Sequence, residues 1–286
     1  MGVIPVINQF NQETVDEVFA TNLIELVQTV RKSKEVQSEW EKVYRDRASL
    51  IPDTVKKWLH DYRNQIVFSE SLGQGLSLPF VDKHTVQACL DFCEELNLSL
   101  TAEQKESKTS YTPTGIIAII SGWNLQLREI LSRVVPALMA GNAVIVKVSS
   151  RSPGTGQMLM ELSRYMSIIA GLQGFSSLIQ IVYGSEANQF LCSHPGIHGV
   201  SFVGQSKHFK SIISMAMVSN KKIQLSGSAK NCALLLKDFD FVQHGGDLLE
   251  SIYTASNGLT WSTTRILALE SERFRVIDFL RESMSQ

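Results

Sequence analysis

Gly115-Ile116-Ile117-Ala118-Ile119-Ile120 and Pro136-Ala137-Leu138-Met139-Ala140-Gly141-Asn142-Ala143-Val144-Ile145-Val146-Lys147 decide the fold. Each contains a short unbroken apolar run rich in β-branched residues, the pattern of a strand buried on both faces. Between the two runs, residues 127–140 read as a helix, and Gly141-Asn142 supplies its stop signal. The same alternation repeats toward the C-terminus. A helix over 156–169 precedes a strand over 178–183, and a helix before His194 precedes a strand over Gly199–Val203. A helix over 208–218 and a strand over 222–225 follow. Strand and helix in regular turn predict an α/β protein with a parallel sheet and helices on both of its faces.

Upstream, residues 12–42 read as one helix, with Val15, Val18, Phe19, Leu23, Leu26 and Val27 on its apolar face. Further helices are expected over 45–64, 65–72 and 81–96, and the polar stretch 98–112 reads as an exposed hairpin or loop. Downstream, strands are expected over 233–237 and 266–269, with helices over 240–254 and 273–283.

A chain of 286 residues, 44% hydrophobic and 19% charged, has the profile of a soluble globular protein. The net charge of -1 gives no electrostatic reason to expect nucleic acid or an anionic membrane as a partner. No apolar run is long enough to span a bilayer. Met1-Gly2-Val3-Ile4-Pro5-Val6 carries no basic flank for a signal peptide and lacks the Ser or Thr that a myristoylation signal needs at Val6. A cytoplasmic protein is the expectation. Cys89 and Cys93 share one helix face, with the nearest histidine, His84, on another, so they read as buried reduced cysteines and not as metal ligands.

An open parallel sheet binds its ligand at the carboxyl ends of its strands. Ser121-Gly122-Trp123-Asn124, Lys147-Val148-Ser149-Ser150 and Gly204-Gln205-Ser206 stand at three such ends. Their order resembles the aldehyde dehydrogenase superfamily, as do 136–147, His194-Pro195-Gly196-Ile197 and Val200-Ser201-Phe202-Val203-Gly204. The resemblance implies a Rossmann-like nucleotide-binding domain over 1–224, including the N-terminal helices and the 98–112 segment. It also implies the start of a second α/β catalytic domain over 225–286, truncated at Gln286.

The cofactor it implies is NAD or NADP. Lys147 would bond the adenosine ribose, Gly122 and Trp123 would pack along the nucleotide, and Gly204 with Gln205 would let the backbone approach the pyrophosphate. Val203, Gln205 and Phe209 depart from the family's small residues there. Ser150, followed by Arg151, stands where a carboxylate often excludes a 2′-phosphate, which favours NADP. The same serine-rich run before Pro153 reads equally well as a helix N-cap.

On the chemical side, Asn124 matches the oxyanion donor. The general-base position falls on Gln224, which cannot take a proton, and the nucleophile position on Trp261, which cannot attack a carbonyl. Ser262 has no nearby histidine to activate it, and Cys232 reads as a buried strand cysteine. The functional expectation is an aldehyde dehydrogenase-like, NAD(P)-binding protein of the oxidoreductase family without cysteine-dependent aldehyde oxidation. The alternatives are a catalytically silent nucleotide- or partner-binding module and a truncated remnant of a longer enzyme. Partners are the nucleotide cofactor and a homo-oligomeric copy or second subunit, with no nucleic acid and no membrane.

Overall fold

A computed structural model describes residues 2–103, 111–253 and 259–284. Two compact units divide the chain, Met1–Ser226 and Gly227–Gln286.

The first unit opens with an antiparallel hairpin, β1 (Val3–Ile7) and β2 (Thr14–Phe19). Residues 14–19 are therefore strand and not the start of a helix. Val18 is buried while its neighbours are exposed. The helix start signal lies further on, where the Asn22 side chain accepts from Glu25 N and Glu25 reaches back to Asn22 N, both at 2.9 Å. That capping box launches α1 (Leu23–Arg47).

Helices α2 (Leu50–Asp61), α3 (Arg63–Gln74) and α4 (Leu78–Val81) follow, and α4 passes through a π-helical turn, Asp82–Gln87, into α5 (Ala88–Glu103). Arg63 pairs with Asp82 at 2.7 Å, and the wide turn leaves the His84 carbonyl to accept from Arg128 Nη1 at 3.2 Å. Helix persists past residue 98, where a loop or hairpin is expected, because no Gly or Pro interrupts 88–112. The expectation for 104–110 lies outside the described residues.

Five parallel strands form the central sheet: β3 (Ile116–Ile120), β4 (Ala143–Lys147), β5 (Ile179–Val182), β6 (Gly199–Val203) and β7 (Lys222–Ser226). Their order is β5-β4-β3-β6-β7. The connecting helices are α6 (Gln126–Met139), α7 (Gly154–Ile168), α8 (Glu186–Ser193) and α9 (Phe209–Met217).

Alternate strand residues feed two cores. Ile119, Val144 and Val146 pack with α2, α5, α6 and α7. Ile120, Ile145 and Phe202 pack with α8 and α9 on the other face. The expected α/β class with helices on both faces is what the chain forms. Gly141 ends the stop after α6 at φ +81, and a Cβ there would stand 2.6 Å from Pro113 and 2.8 Å from Tyr44, so only glycine fits.

In the second unit, β8 (Asn231–Leu235) and β9 (Thr263–Ala268) pair in parallel, with α10 (Phe241–Tyr253) and α11 (Arg273–Met284). Its core is small: Leu235, Leu248 and Val276, with Phe241 and Phe279 packed against them. Cys232 is exposed and not buried, because strand alternation sends it outward with Leu234 while Ala233 and Leu235 face the core. Cys89, Cys93 and Cys192 are free and buried as small hydrophobes, and burial pushes the Cys93 thiol up to about 12.

A packing prediction follows from Tyr183, whose buried hydroxyl has no partner among the described residues and presses on Gly156. Gly156→Ala should cost about 1–3 kcal/mol in urea unfolding. Tyr183→Phe should be neutral or stabilising, and should recover part of that loss in the double variant.

Candidate functional site

The chain leaves β3 in the middle of the sheet, builds β4 and β5 to one side, then crosses back to place β6 and β7 on the other. The crevice of such a sheet opens at the carboxyl ends of the two strands where the direction reverses, here β3 and β6. Gly122, Trp123 and Asn124 follow β3, Lys147 ends β4, Ser150 lies just beyond it, and Gly204 and Gln205 follow β6. The topology thus brings these residues to one edge.

Lys147 lies in register with Ile120 and Val182, and Ile120 with Phe202, so all four side chains share one face. Lys147 is 8% exposed, yet its ammonium makes no hydrogen bond or ion pair among the described residues. The other buried lysine among the described residues, Lys221, donates to the His194 and Ile197 carbonyls at 2.6 Å each. Burial alone pulls the Lys147 pKa below its ordinary 10.5. A lysine buried along its stem, with an ammonium that has no protein partner among the described residues, is placed to donate to an oxygen-rich ligand.

Gly122 lies against β6: a Cβ on it would stand 3.5 Å from the Val203 carbonyl. Gly204 is required by a neighbour within the chain, since a Cβ there would meet the Phe202 ring at 2.8 Å. Phe202 stacks edge-on with Phe209 at 6.0 Å, so the bulky residue at the start of α9 fills space under the sheet edge. Gln205 is exposed, and a short 3₁₀ turn, Ser206–His208, intervenes between it and α9.

Trp123 is half-exposed and receives the Arg151 guanidinium over its ring at 5.8 Å. Ser150 is exposed beside it. The helix-cap alternative does not materialise, because α7 starts after Pro153 without a side-chain cap, and Ser149 Oγ instead accepts from Arg151 N at 3.3 Å. Asn124 is half-buried, and its amide has no partner among the described residues.

Gln224 sits one residue before the level of Lys147 and therefore on the opposite face of the sheet, where it accepts from Ser201 Oγ at 2.8 Å. Arg133, held to Glu129 at 2.9 Å, reaches Ser226 Oγ on that same face. In the second unit, Trp261 stands in the turn before β9, half-exposed, and Asn231 Nδ2 donates to the Thr260 and Ser262 carbonyls, which shapes that turn. Ser262 is buried, with its hydroxyl unpartnered among the described residues.

Arg133 and Asn231 escaped the sequence reading because their roles depend on contacts across the fold. Residues 187–226 contain four lysines and no Asp or Glu, but only Lys207 and Lys210 follow β6 at the carboxyl edge, while Lys221 and Lys222 precede β7 at the other end. Among the described residues no group of acidic, His and Cys side chains could hold a metal, and no helix is long and apolar enough to cross a membrane.

Comparison with known proteins agrees with this arrangement. The model of the aldehyde dehydrogenase family matches residues 2–286. A 2-aminomuconic 6-semialdehyde dehydrogenase of a Pseudomonas species is 31% identical over 157 residues, covering 54% of this chain and 31% of the relative. The 3,6-anhydro-alpha-L-galactose dehydrogenase of Streptomyces coelicolor is 23% identical over 273 residues, covering 93% and 53%. Aldehyde dehydrogenase C of Pseudomonas syringae, solved with NAD+ and octanal, shares the fold at a TM-score of 0.86 and 18% identity, over 97% of this chain and 57% of that one. The chain belongs to the aldehyde dehydrogenase family, and spans about half the length or less of the curated relatives it matches.

The buried charge of Lys147 gives a signed prediction. Its pKa is lowered in the fold, so the open chain holds the proton more tightly and the charge costs stability at neutral pH. Lys147→Met should stabilise the ligand-free protein by about 1 kcal/mol. That advantage should shrink as pH rises through the lowered pKa toward 10.5, followed by thermal unfolding at several pH values.

Proposed function

We propose that this member of the aldehyde dehydrogenase family binds NAD or NADP at the carboxyl edge of its five-stranded sheet and does not itself oxidise aldehydes through a cysteine. The observation that carries the first half is Lys147, a lysine buried along its stem beside the switch point of the sheet, whose ammonium has no protein partner among the described residues. The donor set fits a dinucleotide. Lys147 donates to ribose hydroxyls, the Trp123 ring offers a flat apolar surface, and the backbone at Gly204 and Gln205 lies at the entry to α9, where amide groups favour a pyrophosphate. Arg151, stacked on Trp123 next to exposed Ser150, favours the extra phosphate of NADP. The Pseudomonas syringae relative solved with NAD+ supports the same cofactor class.

When bound, the nicotinamide supplies a hydride acceptor, and Asn124 offers an amide N–H to an oxyanion. The remaining two roles lack chemistry: the Gln224 amide has no basic site at neutral pH, and the Trp261 indole is no nucleophile. Residues 1–224 act as the nucleotide-binding domain in this reading, and 225–286 contribute part of a catalytic domain. A role as a partner-binding module, toward a second copy or a second subunit, is favoured by one observation: Leu234 and Leu267, paired across β8 and β9, are both exposed. Leu234→Lys with Leu267→Lys should then lower the sedimentation coefficient of any assembly the wild-type chain forms.

Titration with NADH and NADPH, followed by energy transfer from tryptophan to the nicotinamide, tests the nucleotide site. Saturable binding is expected, with NADPH preferred, most of the signal lost in Trp123→Phe, and affinity reduced about tenfold in Lys147→Met. No saturation with either nucleotide in a folded protein would refute the site. Aldehyde-dependent formation of NADH or NADPH should not exceed a no-enzyme control. Turnover appearing in the Gln224→Glu, Trp261→Cys double variant would show that the two side chains alone account for the loss.

A further inference from the structure

The loop between β3 and α6 carries Trp123 and Asn124, and the amides at its helix end find their acceptors outside it. Helix α6 begins without a side-chain cap from its N-cap residue, Leu125, which sits in the left-handed region at φ 43 and ψ 44. That is a strained conformation for leucine and persists only where the surroundings impose it.

Two sets of bonds impose it: the buried Gln126 side chain bonds Ser121 Oγ across the loop at 3.0 Å, and helix α3 supplies the acceptors for the backbone. Leu125 N donates to Gln74 Oε1 at 2.7 Å, and Leu127 N donates to Glu70 Oε2 at 3.2 Å. Glu70 is wholly buried. Its Oε2 also accepts from Gln74 Nε2 at 2.5 Å, and its Oε1 accepts from Thr155 Oγ1 at 2.5 Å, in the first turn of α7. Among the described residues no cation pairs with it. Its acceptors are spent on the first turns of α6 and α7, whose N-terminal dipoles favour a carboxylate. Burial raises the Glu70 pKa against the pull of those three hydrogen bonds.

Position 70 calls for an acceptor. Three donors converge on the two oxygens from different elements, and an apolar side chain there would leave the Leu127 amide and the Gln74 amide group without their acceptor, whereas a glutamine could keep them by donating to the Thr155 hydroxyl. The same helix also abuts the β4–α7 loop, where a Cβ on Gly73 would meet Ser152 Oγ at 2.8 Å. One helix thus buttresses both loops, the one bearing Trp123 and the one bearing Arg151.

We propose that Glu70, with Gln74, is the positioning residue of the Trp123–Asn124 loop, fixing the left-handed turn at Leu125 and so setting where those two side chains point. The positioning stands on this geometry alone. Its consequence for affinity rests on the nucleotide site proposed above.

The test uses the full chain with Glu70→Met and, separately, Gln74→Leu. Hydrogen exchange without nucleotide should speed up about tenfold at the Leu125 and Leu127 amides in Glu70→Met, while the β4 amides stay protected. The Trp123 contribution to emission, taken as the difference from Trp123→Phe in each background, should shift. Gln74→Leu keeps the carboxylate and should free Leu125 alone, so it carries the test if the Glu70 variant does not fold. Unchanged exchange and emission in both variants would overturn the positioning role. If both change but the dissociation constant for NADPH stays the same, positioning stands and its bearing on binding is overturned. If the wild-type chain binds no nucleotide, the site proposed above fails, while exchange and emission still decide the role of Glu70.

Discussion

A parallel sheet covered on both faces leaves polar chemistry one place to go. Every residue of β4 is buried, and β3 is nearly so. A charge inside these strands would face two apolar cores, so the first position where one is tolerable is the last residue of a strand. Lys147 occupies it. The reversal of strand order beside β3 then opens the edge just there, and the loops after β3, β4 and β6 have no choice but to crowd around the same crevice. The helices serve the same constraint: α6 and α7 seal one face, α8 and α9 the other, and each starts or ends where the edge is open.

Elements buried on both faces were the legible ones. The run Ile116 to Ile120 and the strand Gly199–Val203 have the bounds their apolar pattern suggests, because burial on two sides leaves only one small polar residue, Ser201, within them. Half-exposed elements were harder to read. The hairpin strand at 14–19 buries only Val18, so its alternation is drowned by Val15 and Phe19, which lie exposed and match a helical spacing by coincidence. Cys232 failed for a related reason: a two-stranded sheet has one covered face, and strand type alone does not say which. The positions of Gly122, Lys147 and Gly204 at one edge were legible from strand ends. The reason for Gly204 was not, because the Phe202 ring that demands it is seen only once the strand end is folded.

The two halves of the chemistry diverge in their surroundings. Lys147 and Gln224 lie on opposite faces of the sheet, one among aromatic and aliphatic side chains, the other bonded to Ser201. The cofactor side keeps an unpaired donor at a cost in stability, which a purely structural residue would shed. Gln224, by contrast, is exposed and accepts a hydrogen bond from Ser201 within the sheet. A change at either side chain therefore leaves the other's surroundings in place, since they face different layers of the fold.

The π-helical turn at Asp82–Gln87 has a meaning for how this chain tolerates change in length. In a regular α-helix, removing one residue rotates everything beyond it by about 100° and would turn Cys89 and Cys93 out of the core. A π turn stores one residue more than the α pitch requires. Deleting a residue there returns the backbone to ordinary pitch and leaves Val81 and Cys89 each in its own socket, so the turn is a reserve of length inside a packed helix, at a site where no loop exists to absorb it.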